Sequence, residues 1–513
     1  MAAETDHAAT TLASTERMTV STLKSASKAD SFVAAKRICY LVSHGFAARM
    51  VLQSSLMQET ERRGIQTTVL CPQGVDQDLR RYERPGVLDF ESGEFEVSKL
   101  THGQISELQR YFREPITNNP ALWSRHLYNR NSAKGWIRWR ADLFLLIHRL
   151  CYGSKRVSKL VTRLDRRIHR SPAIAEQLRR LQPDLVVSTY PVAAFESTCL
   201  LEAQNLGIRT VGHLLSWDNI TCKGRFIAPP DDYISWGPIM TEELQEHYQV
   251  AREQIFECGV PHFDAHLQLV DRQQLESILV AQGIKPDRPY LFFGMSSPVF
   301  APHEIDIVEH LAGQVEAGEY GSDMQLVIRP HPQNVTGFMA DMNWLPRLEG
   351  LRSERVAVNL PLLAEGRLAW NMEQSDLGIL VNLLAGCTVC LNSGSTLSID
   401  ALMHQKPVVL TFFDADEELP WWKSARRIAE FPHYRKLLAT RGVQPVGSFS
   451  EMTQTIHALL ATPDRGAADR KHALMRECGS TDGMSAARVA DALLEIMRGS
   501  TSHSDTLLTG DSR

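Results

Sequence analysis

The sequence predicts an α/β protein made of two tandem doubly wound, Rossmann-like domains with a cleft between them. Short apolar runs recur along it, each followed by a small-residue turn and a stretch of helical spacing. That is the grammar of βαβ units, whose parallel strands are buried on both faces. The series halts at a charged segment, Asp271 to Asp287, and restarts at Tyr290. With 513 residues, the chain can bury several cores without a disulfide or metal staple.

Lys36-Arg37 introduce the first strand, Ile38 to Val42, and Ser43-His44-Gly45 form the turn behind it. Met50 to Arg63 has helical spacing through Met50, Leu52, Leu56 and Met57; Gly64 closes it ahead of a second strand, Ile65 to Cys71. The pattern returns with strand Pro183 to Ser188, helix Ala193 to Gln204 and strand Ile208 to Leu214, then strands Asp232 to Trp236 and Ile255 to Val260. Between the two series, Gly74 to Pro183 is charged and helical in pattern, and its residues 75–180 match nothing. The second series runs through strand Tyr290 to Phe293, helix Ile305 to Val315 and strand Gln325 to Arg329. Helix Ser375 to Ala385, strand Cys387 to Leu391, helix Leu397 to His404 and strand Pro407 to Phe412 continue it, and helices Ser450 to Leu460 and Ser485 to Met497 end it. The expected division is a disordered lead (1–35), a first domain (36–268), a linker (269–287), a second domain (288–499) and a disordered tail (500–513).

Composition narrows the class. Apolar residues make up 43% and charged residues 22%, an ordinary globular balance. Fifty-five Lys and Arg against 60 Asp and Glu leave −5, which argues against a globally basic nucleic-acid binder. Nine cysteines at irregular spacing suggest a reducing compartment rather than a disulfide framework. Cys387 and Cys390 form a C-x-x-C with no second pair to complete a zinc site. The most apolar stretch, 141–152, is broken by Asp142, His148 and Arg149, so no membrane span is expected. Without an apolar leader in the first thirty residues, a cytoplasmic location is expected.

In open parallel sheets, ligands bind beyond the carboxyl ends of the strands, where the strand order reverses. The loops there are the candidates. Asn392-Ser393-Gly394-Ser395-Thr396 runs from strand to helix; small residues and free N–H groups at a helix start suit a phosphate. Ordinary N-capping by Ser and Thr is the competing reading. Gly294-Met295-Ser296-Ser297 and Arg329-Pro330-His331-Pro332 occupy equivalent places after their strands.

From Ser393 through Asp400 to Lys406-Pro407-Val408-Val409, the sequence resembles the nucleotide-binding half of two-domain GT-B glycosyltransferases. It also resembles bacterial surface-polysaccharide enzymes and CDP-glycerol glycerophosphotransferases. The resemblance is supported by His331-Pro332, by Gly259-Val260-Pro261-His262-Phe263-Asp264 and by Thr481-Asp482-Gly483-Met484. It implies a UDP-, CDP- or CMP-linked donor on Ser296, Ser297, Arg329, His331, Ser393, Gly394, Ser395, Thr396 and Asp400, with Asp400 on the ribose hydroxyls. It implies no cofactor beyond that donor. It also implies a cytoplasmic role in envelope polysaccharide synthesis, with a carbohydrate or lipid-linked acceptor.

His44, in the first loop, is the candidate general base, as in several inverting families of this group; Asp218 is the second candidate. Trp217, Asn219 and Asp414 are candidate acceptor or sugar contacts. Asn392 stands where many retaining members carry a glutamate, which favours inversion. Asp414-Ala415-Asp416 looks like the metal-binding pair of another fold, but no metal is expected. A 2-epimerase is the rival reading, although Ser43-His44-Gly45-Phe46-Ala47 departs from its usual Gly-Thr-Arg-Pro-Glu. A glycerophosphotransferase and a non-catalytic carbohydrate-assembly protein are further alternatives. Residues 134–170 hold eleven Lys and Arg against Asp142 and Asp165, with Trp136 and Trp139 among leucines. Peripheral contact with an anionic membrane at its inner face is one reading of that segment and a solvated helix the other.

Overall fold

A computed structural model describes residues 36–95, 106–268, 272–336 and 344–508. The first sheet comprises β1 (Lys36–Leu41), β2 (Ile65–Pro72), β3 (Leu88–Gly93), β4 (Leu185–Ser188), β5 (Arg209–His213), β6 (Asp232–Ser235) and β7 (Ile255–Glu257). Its order is β3-β2-β1-β4-β5-β6-β7, with every pair parallel. The second comprises β8 (Tyr290–Gly294), β9 (Gln325–Arg329), β10 (Val356–Val358), β11 (Val389–Asn392), β12 (Val408–Thr411) and β13 (Gln444–Val446), in the order β10-β9-β8-β11-β12-β13, again all parallel. In both sheets the strand order reverses beside the first strand, between β1 and β4 and between β8 and β11. Crevices for ligands open at such points. The central strands β4, β6, β8, β9, β11 and β12 are buried at every residue, which is why they read as unbroken apolar runs.

Several expectations are corrected. The helix expected over Met50 to Arg63 is two helices, Gly45–Leu52 and Leu56–Arg62. Ser54 Oγ donates to Met50 O at 2.6 Å and accepts from Leu56 N at 3.2 Å, offering the backbone an alternative to the helical ladder. β7 stops at Glu257, before Cys258 and the left-handed Gly259 (φ 79°). β11 starts at Val389, two residues later than expected. The last helix, Ser485–Leu508, runs through most of the stretch expected to be a disordered tail. Although placed in the second domain by sequence, this helix packs on the first sheet: Ala486, Val489, Leu493 and Ile496 share a core with Ile38, Tyr40 and Val187. The expected linker holds helix Arg272–Ala281, which packs against helix Gln374–Gly386; its residues 269–271, like the lead 1–35, lie outside the described residues.

The unmatched stretch after β3 is helical: Ser106–Arg113, Pro120–Ser132, Trp136–Cys151, Lys155–Ile168 and Pro172–Leu181. None of the helices among the described residues is long and apolar enough to cross a membrane. All nine cysteines are free, and Cys387 and Cys390 are buried.

Candidate functional site

Each half ties its ligand-side loops together with one buried glutamate. In the first half, Glu196 on helix Ala194–Asn205 accepts from Ser188 Oγ (2.7 Å), Thr189 N (2.9 Å) and Tyr190 N (2.8 Å), and also from the Ser43 hydroxyl. The loops after β1 and β4 are thereby fixed to one another. In the second, Glu304 on helix Glu304–Glu316 accepts from Ser296 N (2.7 Å) and Ser393 N (3.2 Å), joining the loops after β8 and β11. Burial pushes both carboxyls up, Glu304 to about 7. Nothing in the local sequence pointed to either residue, because their partners lie on other loops.

The two halves meet at the ends of these loops. Gly45 N donates to Ala369 O at 3.0 Å, and a Cβ on Gly45 would lie 2.1 Å from Trp370 O, so only glycine admits the second half here. Trp370 stands edge-on to His44 at 4.8 Å between ring centroids and carries a left-handed φ of 55°. Tyr190 flanks the same imidazole at 6.0 Å. His44 and His331 come from opposite halves, and each lowers its proton affinity through burial, to about 4. A charge on His44 would depress His331 further.

The ring nitrogens have assigned roles. His44 Nδ1 accepts from Phe46 N at 3.2 Å, and His331 Nδ1 accepts from Gln333 N at 3.1 Å. A neutral imidazole that accepts at Nδ1 carries its proton on Nε2. The pair therefore offers two neutral N–H donors at pH 7. His44 was expected to be a base; in this arrangement Nε2 has no lone pair to receive a proton.

Asp218 and Lys223 form an ion pair, 2.9 Å apart. Burial pushes the Asp218 carboxyl up, but Lys223 and His433 outweigh it and hold it below its ordinary value. Asp218 in turn raises Lys223. Asp218 Oδ1 is buried without a hydrogen-bond partner, a costly state for a carboxylate oxygen that a ligand donor would relieve. Tyr190 and His433 lie close enough to both charges to be acted on by them. His433 was missed because it lies on helix Pro432–Ala439, away from any strand end.

Other expected contacts are committed elsewhere. The Asn392 carboxamide oxygen accepts from Gly394 N and Ser395 N, both at 3.0 Å, so the supposed phosphate cradle is closed on its own side chain. Gly394 has φ 96°, and a Cβ there would meet Ile428 at 2.9 Å; packing and backbone conformation demand this glycine. Ser393 shares its hydroxyl with Thr411 at 2.6 Å, and Ser395 Oγ accepts from Leu397 N at 3.3 Å. Thr396 remains half-exposed at the helix start. Ser297 is buried, and Ser296 Oγ is buried without a partner. Arg329, expected on the nucleotide, grips both oxygens of Asp376 at 2.7 Å and donates to Asn359; Arg49 from the first half reaches the same carboxylate at 2.9 Å. Asp400 is buried 3.0 Å from His266 Nε2, and His266 Nδ1 lies 2.9 Å from His404 Nε2, so its carboxylate faces this pair instead of an open ribose site. Asp414 holds Ser424 Oγ and Ala425 N. Trp217 is buried edge-on against His433 and Tyr434. Asn219 Oδ1 accepts from Ser216 N at 2.7 Å, while its Nδ2 is buried unpaired. Among the described residues no group of three His, Cys, Asp or Glu is disposed to hold a metal ion.

No family model matches the sequence, and no curated protein matches it. Solved structures do match in shape. A Staphylococcus aureus MnaA–UDP co-structure is similar with a TM-score of 0.52 at 10% identity, covering 90% of this chain and 97% of that one. The UDP-GlcNAc 2-epimerase of Neisseria meningitidis bound to UDP-GlcNAc gives 0.51 at 10% identity, over 90% and 100%. That of Methanocaldococcus jannaschii, in complex with UDP-GlcNAc and UDP, gives 0.50 at 11%, over 90% and 99%. At such identities the likeness speaks for architecture, and with a seven-stranded 3-2-1-4-5-6-7 and a six-stranded 3-2-1-4-5-6 parallel sheet it establishes that this chain has the two-domain GT-B-like fold.

Proposed function

We propose that this chain is an enzyme acting on a nucleotide-activated sugar, transferring the sugar or a sugar-like group to a carbohydrate or lipid-linked acceptor with inversion and without a metal. One observation carries the reading: His44 and His331, one from each half and near enough for a charge on one to depress the other, both accept at Nδ1 and so present neutral Nε2–H donors, while Asp218, close enough to act on His44, has an Oδ1 without a partner. Donors of this kind suit a developing phosphate oxyanion, where each is worth roughly 10²–10³ in rate. Asp218, kept ionised by Lys223, takes the proton of the attacking acceptor hydroxyl. Uptake of donor would be completed by closure of the halves. UDP-, CDP- and CMP-linked donors all remain candidates.

Epimerisation is the second reading, because the structures it resembles are UDP-GlcNAc 2-epimerases or a UDP complex. The two readings separate in one experiment. Incubation with UDP-N-acetylglucosamine alone, followed by anion-exchange chromatography and proton NMR, gives an epimer only if the protein is an isomerase. A thermal-shift series with UDP, CDP, CMP, GDP and ADP identifies the base; ligand at 100 times its dissociation constant adds about 2.7 kcal/mol of stability. Absence of a shift with every nucleotide overturns both readings.

A further inference from the structure

Helices Trp136–Cys151 and Lys155–Ile168 belong to the insertion between β3 and β4. The first has two apolar faces. Phe144 and His148 turn inward, Phe144 joining Tyr111 and Ile116 in a small core. Positions 139, 143, 146 and 150 follow a four-three-four spacing and form a second stripe on another face. Most of that stripe lies in solvent, Trp139 and Leu146 each 52% exposed and Leu150 75%, with Trp136 one turn earlier at 69%; Leu143 is half-buried. Trp136 and Trp139 stack on each other at 4.6 Å. On the second helix, Leu160 and Leu164 stand one turn apart, 67% and 48% exposed.

The charge around these residues has one sign. Asp142 is taken by Arg130, and Asp165 is buried against Arg113. Arg138, Arg156, Lys159, Arg163 and Arg167 have no ion pair among the described residues, and all are exposed. A surface that is both apolar and unneutralised must find a partner supplying apolar depth and negative charge together. A second copy docking by the same face would set cation against cation. An anionic bilayer supplies both: headgroup phosphates for the cations and an acyl boundary for the stripe, with indoles at the depth they favour. Since no helix among the described residues is long and apolar enough to span, the pair would lie along the surface.

We infer that this helix pair docks the protein on an anionic bilayer. Its place in the fold fits that role. Helix Pro120–Ser132 packs on helix Trp136–Cys151 on one side and on the Ala425–Glu430 turn of the second half on the other, and Tyr128 meets Trp422 at 5.9 Å between ring centroids. The docked face is thus one helix away from the junction of the halves. The inference rests on the surface and not on the transfer reading; vesicle binding and nucleotide binding succeed or fail separately.

The test is co-sedimentation of the full chain with phosphatidylcholine vesicles, with and without phosphatidylglycerol. Anionic vesicles at low salt should bind at least about tenfold more tightly than neutral ones, with the difference shrinking as salt rises. The triple variant R156Q/R163Q/R167Q should lose about tenfold or more. Trp139→Ser with Leu150→Ser should lose binding that survives in salt, while Arg352→Gln on the second half should leave binding unchanged. Thermal unfolding distinguishes lost binding from lost folding. If a variant does not fold, quenching of wild-type tryptophan emission by brominated phosphatidylglycerol decides: quenching supports the inference and its absence overturns it. Failure to bind anionic vesicles at low salt also overturns it, as does sedimentation equilibrium showing a dimer that the stripe variant dissolves.

Discussion

The tautomer of His44 determines what its removal should do. With Nδ1 held by Phe46 N, the ring acts as a donor through Nε2, so His44→Ala should lower turnover by about 10²–10³ and weaken nucleotide diphosphate binding as well. His44→Asn keeps a donor and should recover part of both; a base would recover nothing and would leave nucleotide affinity untouched. Steady-state kinetics and calorimetric titration of the three proteins distinguish these outcomes. Asp400 illustrates a different commitment. Its carboxylate is held below the ordinary range despite burial, by His266 first and then by His262 and Arg49. Asp400→Ala should therefore cost about 1.5–3 kcal/mol of folding stability, as expected for a hydrogen bond to a charged group, measurable as a lower urea midpoint. Nucleotide affinity measured on the folded fraction should change little, whereas a ribose-binding Asp400 would show the reverse pattern.

Among the elements, glycines separate positions set by close approach from positions that are merely small. Gly45 opens helix Gly45–Leu52 directly beneath the Trp370 backbone. Gly45→Ala must push the halves apart and should cost about 1–3 kcal/mol, in line with overpacking, with nucleotide affinity falling alongside. Gly313 lies inside helix Glu304–Glu316 with nothing within 4 Å of its would-be Cβ, so Gly313→Ala should stabilise by about 0.5–1 kcal/mol. Thermal melts of the pair, moving in opposite directions, check both. The same contrast explains what was legible in the sequence. Strands such as Val389-Cys390-Leu391 are covered on both faces and announce themselves as apolar runs. β3, β10 and β13 are edge strands, short or half-polar (Leu88-Asp89-Phe90, Val356-Ala357-Val358, Gln444-Pro445-Val446), and carry little hydrophobic signal. The loops at the switch points were found because they follow strands. Their hydrogen-bond commitments were not, because Arg329 meets Asp376, Asp400 meets His266 and Ser393 meets Glu304 only through tertiary structure. A local pattern can place a side chain at the cleft edge without revealing which distant group already holds it.

For the whole molecule, buried histidines set the acid limit of stability. Burial holds His44, His126, His331, His404 and His433 at about 4, and His213 and His262 at about 3, all below the ordinary 6.5. Between pH 6.5 and 4 the unfolded chain protonates these seven rings while the folded one does not, so their stabilisation is complete above 6.5 and is lost as pH falls. Buried acids oppose this trend. Burial raises Glu243 and Glu304 to about 7 and Glu477 to about 8, and shifts Glu196 and Asp165 upward as well; these groups bind protons in the folded state first and favour it as pH falls. The seven rings outnumber the acids raised against them, so the unfolded state takes up more protons over this window and stability falls with pH, by about 1.4 kcal/mol per pH unit for each net proton. Melting temperature should fall steadily across that window, and a potentiometric difference titration of folded against urea-unfolded protein near pH 5.5 should show net uptake on unfolding. A flat melting curve with no uptake would mean that water reaches these rings in solution. The buried tautomers of His44 and His331, and with them the donor pair assigned to the cleft, would then have to be abandoned.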